Sequence, residues 1–299
     1  MTSYNCKNNS HSETEKEEHG IILATTYSIV LLGGSVGVVL MIFILKSNIK
    51  SVTTTAVLNL IAVHILLLLT VPFRIHYYVT GKWIFSMPFC KLVSAMIHAH
   101  MYIAFIFYVI ILVTRYVVYF NKMNKMEFYR KLHALGASAG IWAVITIIIF
   151  PIYLSQYGNT CNTEPNNEEC FHFENALSQR AVRVLNYIII IIMILVVCLL
   201  LICQLYIIWK VVSKYRQFSY QHQEFWAQIK SFSFVIIMVI CFIPYHIFRI
   251  YFMESSEENY SLKYFQNEMV LALTAFSCFD LIIFLGRGSH LHCSTLCKR

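Results

Sequence analysis

The sequence predicts an all-α membrane protein, a bundle of seven transmembrane helices with its N-terminus outside and its C-terminus in the cytoplasm. Three observations carry this expectation. Seven apolar segments follow one another, separated by polar or charged connections, and each is long enough for a transmembrane helix, which needs about 20 residues. The chain is 58% hydrophobic and 13% charged, where an average soluble domain carries about 25% charge. Its charge is also lopsided. With the N-terminus outside, 14 of the 23 Lys and Arg residues fall in the inner connections, but only two of the 15 acids, Glu127 and Glu224. That is the bias expected of cytoplasmic loops.

In chain order, Met1–Gly20 is polar and acidic, with Glu13, Glu15, Glu17 and Glu18. It has no apolar core of the kind a cleavable signal peptide requires, so the first span is expected to act as its own insertion signal. The spans are Ile21–Leu45, Val52–Val79, Pro88–Tyr119, Ala134–Leu154, Val184–Trp209, Ile229–Phe252 and Asn267–Leu285. Three parts result: an extracellular segment over 1–20, a membrane domain over 21–285 and a short cytoplasmic tail over 286–299. The Ile-rich runs 145–149 and 188–192 are β-branched, but an isolated strand cannot satisfy its backbone in lipid, so helix is expected there too.

The stretch Cys90–Tyr116 sets the orientation. From Cys90 to Arg115 a helix rises about 38 Å at about 1.5 Å per residue, enough to cross a hydrocarbon core of about 30 Å with some tilt. A thiol able to form a disulfide belongs on the oxidising side and a permanent cation on the inner side. Four thiols then lie outside, Cys6, Cys90, Cys161 and Cys170, and four cysteines allow three pairings. Two glycosylation sequons, at Asn8 and Asn259, are also outside. Cys293 and Cys297 stand in the tail beside Lys298 and Arg299, where palmitoylation would pin the tail to the membrane and unmodified thiols are the alternative.

Short motifs recur along the whole chain in a definite order: Leu58-Asn59-Leu60-Ile61-Ala62-Val63 and Thr70-Val71-Pro72-Phe73; Trp83-Ile84-Phe85; Cys90 with Met101-Tyr102 and Thr114-Arg115-Tyr116; Trp142 and Pro151; Cys241-Phe242-Ile243-Pro244-Tyr245-His246; and Phe279-Asp280-Leu281-Ile282-Ile283-Phe284. Together they resemble the class A, rhodopsin-like G-protein-coupled receptors. Phe242-x-Pro244-Tyr245-His246-x-x-Arg249 is similar to the nucleotide (purinergic) receptors and related acid and lipid receptors. The chain departs from the family pattern at Val38, His64, Val196, Gln204, Phe242, Leu281 and Phe284, which stand where the family has the first-span Asn, the sodium-binding Asp, the fifth-span Pro, the switch Tyr, the toggle Trp and the seventh-span Pro and Tyr.

The resemblance implies a multi-pass plasma-membrane receptor that relays an outside ligand to heterotrimeric G proteins. Cys90–Cys170 is the expected disulfide, with Cys6–Cys161 as a second bridge, although the sequence alone does not choose among the three pairings. Thr114, Arg115 and Tyr116 would meet the G protein, and Glu224 would pair with Arg115 across the third and sixth spans; the alternatives are a snorkelling arginine and a solvated glutamate. His64 and Asp280 would share the central polar pocket as an ion pair or hydrogen bond in place of a sodium site, against a neutral, helix-bonded histidine. Tyr102, Tyr245, His246 and Arg249 would line the ligand cavity, and a guanidinium there suits a phosphate or carboxylate. Arg74, Lys263, Tyr77 and Tyr187 would extend this basic, aromatic pocket; pairing of Arg249 with Glu254 or Glu257 is the structural alternative.

Other classes fit less well. A transporter would be expected to show repeats or Gly/Pro-broken helix pairs, and an enzyme a metal cluster or catalytic triad at membrane depth. Neither is legible, and no cofactor, metal or nucleic-acid partner is expected. A constitutively active or non-signalling receptor-like protein remains the main alternative, because of the altered switch residues.

Overall fold

The computed structural model of the chain describes residues 7–46, 52–121, 138, 140, 142, 170–171, 180–215, 222–254 and 260–280. The described residues are helical apart from short connections and contain no strand. The first-span helix runs Lys7–Lys46, the second Val52–Thr80, the third Met87–Asn121 and the fifth Arg180–Tyr215. The sixth is Gln223–Ile237 followed by Ile243–Glu254, and the seventh is Tyr260–Ala275. Among the described residues, five helical stretches are long and apolar enough to cross a membrane, at 16–43, 55–80, 87–117, 183–215 and 223–254. Ser138, Gly140 and Trp142, in the predicted fourth span, are helical as well.

Two boundaries differ from the hydropathy reading. The first helix starts well before the apolar run at Ile21, and the seventh starts at Tyr260 rather than Asn267. The first extension is polar and carries charges such as Lys16, and the second is aromatic and carries Lys263. Hydropathy registers only the part of a helix that lipid covers, while backbone hydrogen bonding continues beyond it.

The sixth span contains one π turn, Met238–Phe242, just before Pro244. Proline has no N–H to donate and its ring crowds the carbonyl four residues earlier, so the helix widens there. The seventh span tightens instead into a 3₁₀ turn, Phe276–Phe279, closed by the Asp280 N–H bonding to the Ser277 carbonyl.

Packing follows the chain: the first helix lies against the second, the second against the third, the fifth against the sixth, and the seventh against both the first and the sixth. Ile191, Leu195, Leu199 and Ile202 form an exposed apolar stripe along the fifth helix, each at least 54% exposed. Such a surface suits hydrocarbon rather than water. Since lipid is as apolar as leucine, close approach and polar contacts must hold the helices together. Gly33 and Gly34 supply the approach: a Cβ at Gly33 would lie 2.1 Å from Phe279 Cε1, and one at Gly34 would lie 3.3 Å from Cys278 Cβ. These two glycines seat the seventh-span 3₁₀ turn against the first helix.

Cys90 and Cys170 are joined by a disulfide. The next residue, Phe171, has φ 72°, a left-handed conformation that a bulky side chain adopts only when held there. Its ring is wedged among Tyr77, Tyr78 and Trp83. Cys6, Cys161, Asn259, Cys293, Cys297 and the side chain of Asn8 lie outside the described residues, so the second disulfide, the sequons and the tail cysteines are not placed.

Candidate functional site

The centre of the bundle is polar because three helices each turn a polar residue onto an otherwise apolar inner face. On the second helix, Leu60, His64, Leu67 and Val71 are all fully buried at spacings of three and four, the repeat of one helix face. On the third helix Ile97, His100, Met101, Ala104, Tyr108 and Ile111 form the facing stripe. The 3₁₀ turn adds Ser277, Cys278 and Asp280.

His64 Nε2 lies 3.2 Å from Asp280 Oδ1, and Tyr108 donates its hydroxyl to Asp280 Oδ2 at 2.7 Å. A buried carboxylate is costly unless its oxygens have partners, and here both do. His64 Nδ1 faces His100 Nε2 at 2.9 Å. Cys278 Sγ lies 3.4 Å from His64 Nδ1 and 3.8 Å from His100 Nε2. His64, His100 and Cys278 thus present one nitrogen, one nitrogen and one sulfur within 4.8 Å of one another, a group able to hold a metal ion. The sequence reading saw no such cluster at membrane depth. It brought His64 and Asp280 together but missed His100, Tyr108 and Cys278. No short spacing advertises the group, since Cys278 is 214 residues from His64. The one available signal was that His100 shares the inner stripe of the third helix with Tyr108.

At the Arg115 end, Glu224 is not the partner that Arg115 meets among the described residues. Arg115 Nη1 donates to Ser231 Oγ at 2.8 Å and to the Ala227 carbonyl at 3.4 Å, and its guanidinium carbon stands 5.7 Å from the Phe234 ring. Glu224 accepts instead from Tyr215 at 2.7 Å and lies 3.5 Å from Lys214 Nζ. The reason is register. Ser231 is seven residues after Glu224, about two turns deeper on the same face, so Arg115 meets the sixth helix below the carboxylate. Thr114 is half-buried, and Tyr116 donates to the Leu200 carbonyl at 3.2 Å. Gln204, at the switch-tyrosine position, bonds Gln228 on the sixth helix through its side-chain amide.

At the disulfide end Arg74 is fully buried and does not extend an open basic pocket. It pairs with Glu268 at 3.2 Å and lies over the Phe171 ring at 4.4 Å, and Tyr78 donates to the same Glu268 oxygen at 2.7 Å. Sequence reasoning placed no acid opposite Arg74, because Glu268 lies in what read as an apolar span. Tyr102, Tyr245 and His246 do gather, with Tyr102 and His246 ring centroids 6.3 Å apart and Tyr245 and His246 5.3 Å apart. Both His246 ring nitrogens are buried without a hydrogen-bond partner among the described residues. Arg249 and Lys263, each 7% exposed, approach one ring, Phe252, at 5.7 and 4.8 Å. Glu254 accepts a hydrogen bond from Tyr187, and Glu257 lies outside the described residues.

Comparison with known proteins agrees with this architecture. Residues 36–283 match the 7 transmembrane receptor (rhodopsin family) profile. The chain is 46% identical to human (Homo sapiens) probable G-protein coupled receptor 141 over 97% of its own length and 95% of that protein. It is 26% identical to probable G-protein coupled receptor 34 of Pan troglodytes, over 93% of this chain and 76% of that one. It is 27% identical to 2-oxoglutarate receptor 1 of Mus musculus, over 78% and 69%. The match covers the buried centre, the Arg115 end and the disulfide end together, and so the chain belongs to the rhodopsin family of seven-transmembrane receptors, plasma-membrane proteins that signal through G proteins rather than catalyse reactions.

Proposed function

We propose that this receptor takes a small anionic ligand, a carboxylate or phosphate, between the sixth and seventh spans at the disulfide end. That end faces outside and the tail lies in the cytoplasm, in a seven-helix arrangement with Arg115 at the G-protein surface. In this topology Asn8 and Asn259 are available for glycosylation, Cys6 can bridge Cys161, and Cys293 and Cys297 can be palmitoylated.

The observation that carries the ligand reading is the cationic group at the top of these two helices. Arg249 and Lys263 converge on Phe252 while almost fully buried. His246, three residues before Arg249 and so on the same face, holds two ring nitrogens with no described partner. A ligand carboxylate or phosphate reaching this group would meet two cationic side chains and an imidazole at once, which suits charge-assisted hydrogen bonds. The similarity to a receptor named for 2-oxoglutarate, a dicarboxylate, supports the same class.

The test is G-protein activation in cells exposed to dicarboxylates, nucleotides and lysophospholipids, for wild type, Arg249→Ala and Lys263→Ala at matched surface levels. Loss of one charge-assisted contact should shift the dose response by about 10- to 100-fold. An acidic agonist acting equally on all three proteins would sink the reading.

A second reading, constitutive signalling, has its own observation. Thr114 replaces the usual neighbouring acid, and Arg115 hydrogen-bonds the uncharged acceptors Ser231 and Ala227 while Glu224 engages Lys214 and Tyr215. Basal G-protein activity without ligand, lost in Arg115→Ala, would establish it.

A further inference from the structure

We propose that His64, His100 and Cys278 form a binding site for one Zn²⁺ ion at the centre of the bundle, tying the second, third and seventh spans together.

The geometry fits without rearrangement of the backbone. The three facing atoms are 2.9, 3.4 and 3.8 Å apart. For a tetrahedral zinc ion with N and S ligands at about 2.0–2.1 and 2.3 Å, ligand atoms lie about 3.3–3.6 Å apart. An ion about 0.8 Å off the plane of the three atoms lies about 2.05 Å from each nitrogen and about 2.3 Å from the sulfur. That position leaves a fourth coordination site for water.

The chemistry of the set also suits the ion. Imidazole and thiolate together favour zinc over sodium, magnesium or calcium, which require oxygen donors. His64 already carries the support that metal-bound histidines have: its Nε2–H can donate to Asp280 Oδ1, which turns the Nδ1 lone pair toward His100 and Cys278. Tyr108 in turn fixes the other oxygen of Asp280. His100 Nδ1 is buried with no hydrogen-bond partner among the described residues, leaving Nε2 as its only engaged nitrogen. On binding, the Cys278 S–H bond breaks, the proton leaves to solvent and the sulfur donates its pair to the ion, with no change in oxidation state.

The ligands come from three spans, so the ion would favour the packing seen here over any arrangement that separates them. This goes beyond the ligand reading and does not depend on it, since the site is made of different residues.

The experiment uses the full-length receptor, purified in detergent, with metal content measured by mass spectrometry in wild type, Cys278→Ser and His100→Gln. The expected result is one zinc per wild-type molecule and none specific to the variants. Wild type stripped of metal should gain about 5 °C or more in Tm at a hundredfold excess of Zn²⁺ over Kd, and the variants should not. Co²⁺ provides a readout that stability does not move: bound at this site it should give a thiolate-to-cobalt charge-transfer band in wild type and His100→Gln-sensitive d–d bands, with the charge-transfer band gone in Cys278→Ser. Metal-free wild type that takes up neither ion, or equal metal and equal spectra in all three proteins, overturns the proposal; the second result would place the metal on other histidines and cysteines.

Discussion

Arg74 and Glu268 form a buried ion pair 3.2 Å apart, joining the second span to the seventh, with side-chain exposures of 0% and 5%. Each is a residue that a hydropathy reading treats as out of place. Tyr27 and the Val93 carbonyl also accept from the guanidinium, so the pair is part of a network that includes the first and third helices. Removing one partner strands the other's charge. Glu268→Ala should cost about 3–5 kcal/mol, seen as a lowered Tm and poor surface expression. The double variant Arg74→Met with Glu268→Leu should recover most of that loss, because an apolar pair has no charge to strand. A double variant as unstable as the single one would show that the pair is needed for more than its own neutralisation.

Gly33 and Phe279 set how closely the first and seventh spans approach. A valine at Gly33 would overlap the Phe279 ring, and overpacking of this kind costs about 1–3 kcal/mol. The strain falls on the 3₁₀ turn that carries Cys278 and Asp280. Gly33→Val should therefore lower Tm, and Gly33→Val with Phe279→Ala should restore it. Thermal unfolding of the four purified proteins forms a double-mutant cycle that measures this coupling directly.

Phe171 is both strained and well packed, and the two effects are separable. Replacing it removes the contacts with Tyr77, Tyr78 and Trp83 and the cation–π contact with Arg74. Alanine would still have to adopt the positive φ at a cost of about 1 kcal/mol, which glycine escapes. Both variants should be less stable than wild type, with Phe171→Gly the more stable of the two. The reverse order in thermal unfolding would mean that the left-handed backbone at this position is not the native one.

Arg115 on the third span donates to the sixth span at two uncharged acceptors, the Ala227 carbonyl at 3.4 Å and, more closely, Ser231 Oγ at 2.8 Å. Ser231→Ala removes that acceptor while leaving the helix intact. It should raise basal G-protein activation by about tenfold or more, since a lost hydrogen bond to a charged group is worth about 1.5–3 kcal/mol and a two-state equilibrium shifts accordingly. Glu224→Gln should leave basal activity unchanged, because Glu224 contacts Lys214 and Tyr215 rather than Arg115. Basal second-messenger output at matched surface levels distinguishes these outcomes.

How much was legible in the chain depended on whether the signal was local. Helix positions along the second, third, fifth and sixth spans followed from long, largely apolar runs, because lipid favours helix for any such run. His64 and Asp280 stood out because an ionisable residue within a span needs an explanation wherever it occurs. Glu224 was misassigned for the opposite reason. Its proximity to Arg115 was inferred from position along the sixth helix, and a difference of two turns in register decides which residue an arginine reaches.

By itself, then, the sequence determined the helical membrane architecture and the family, which rest on composition, on the length of the apolar runs and on the order of short motifs. Only the tertiary structure decided which polar residues meet. Glu268 found Arg74, Ser231 took Arg115, and Cys278 and His100 joined His64. These partners lie tens to hundreds of residues apart, and their meeting is fixed by helix register, by the 3₁₀ and π turns and by two glycines that let the first and seventh spans close. None of those distances is written in the spacing of residues along the chain.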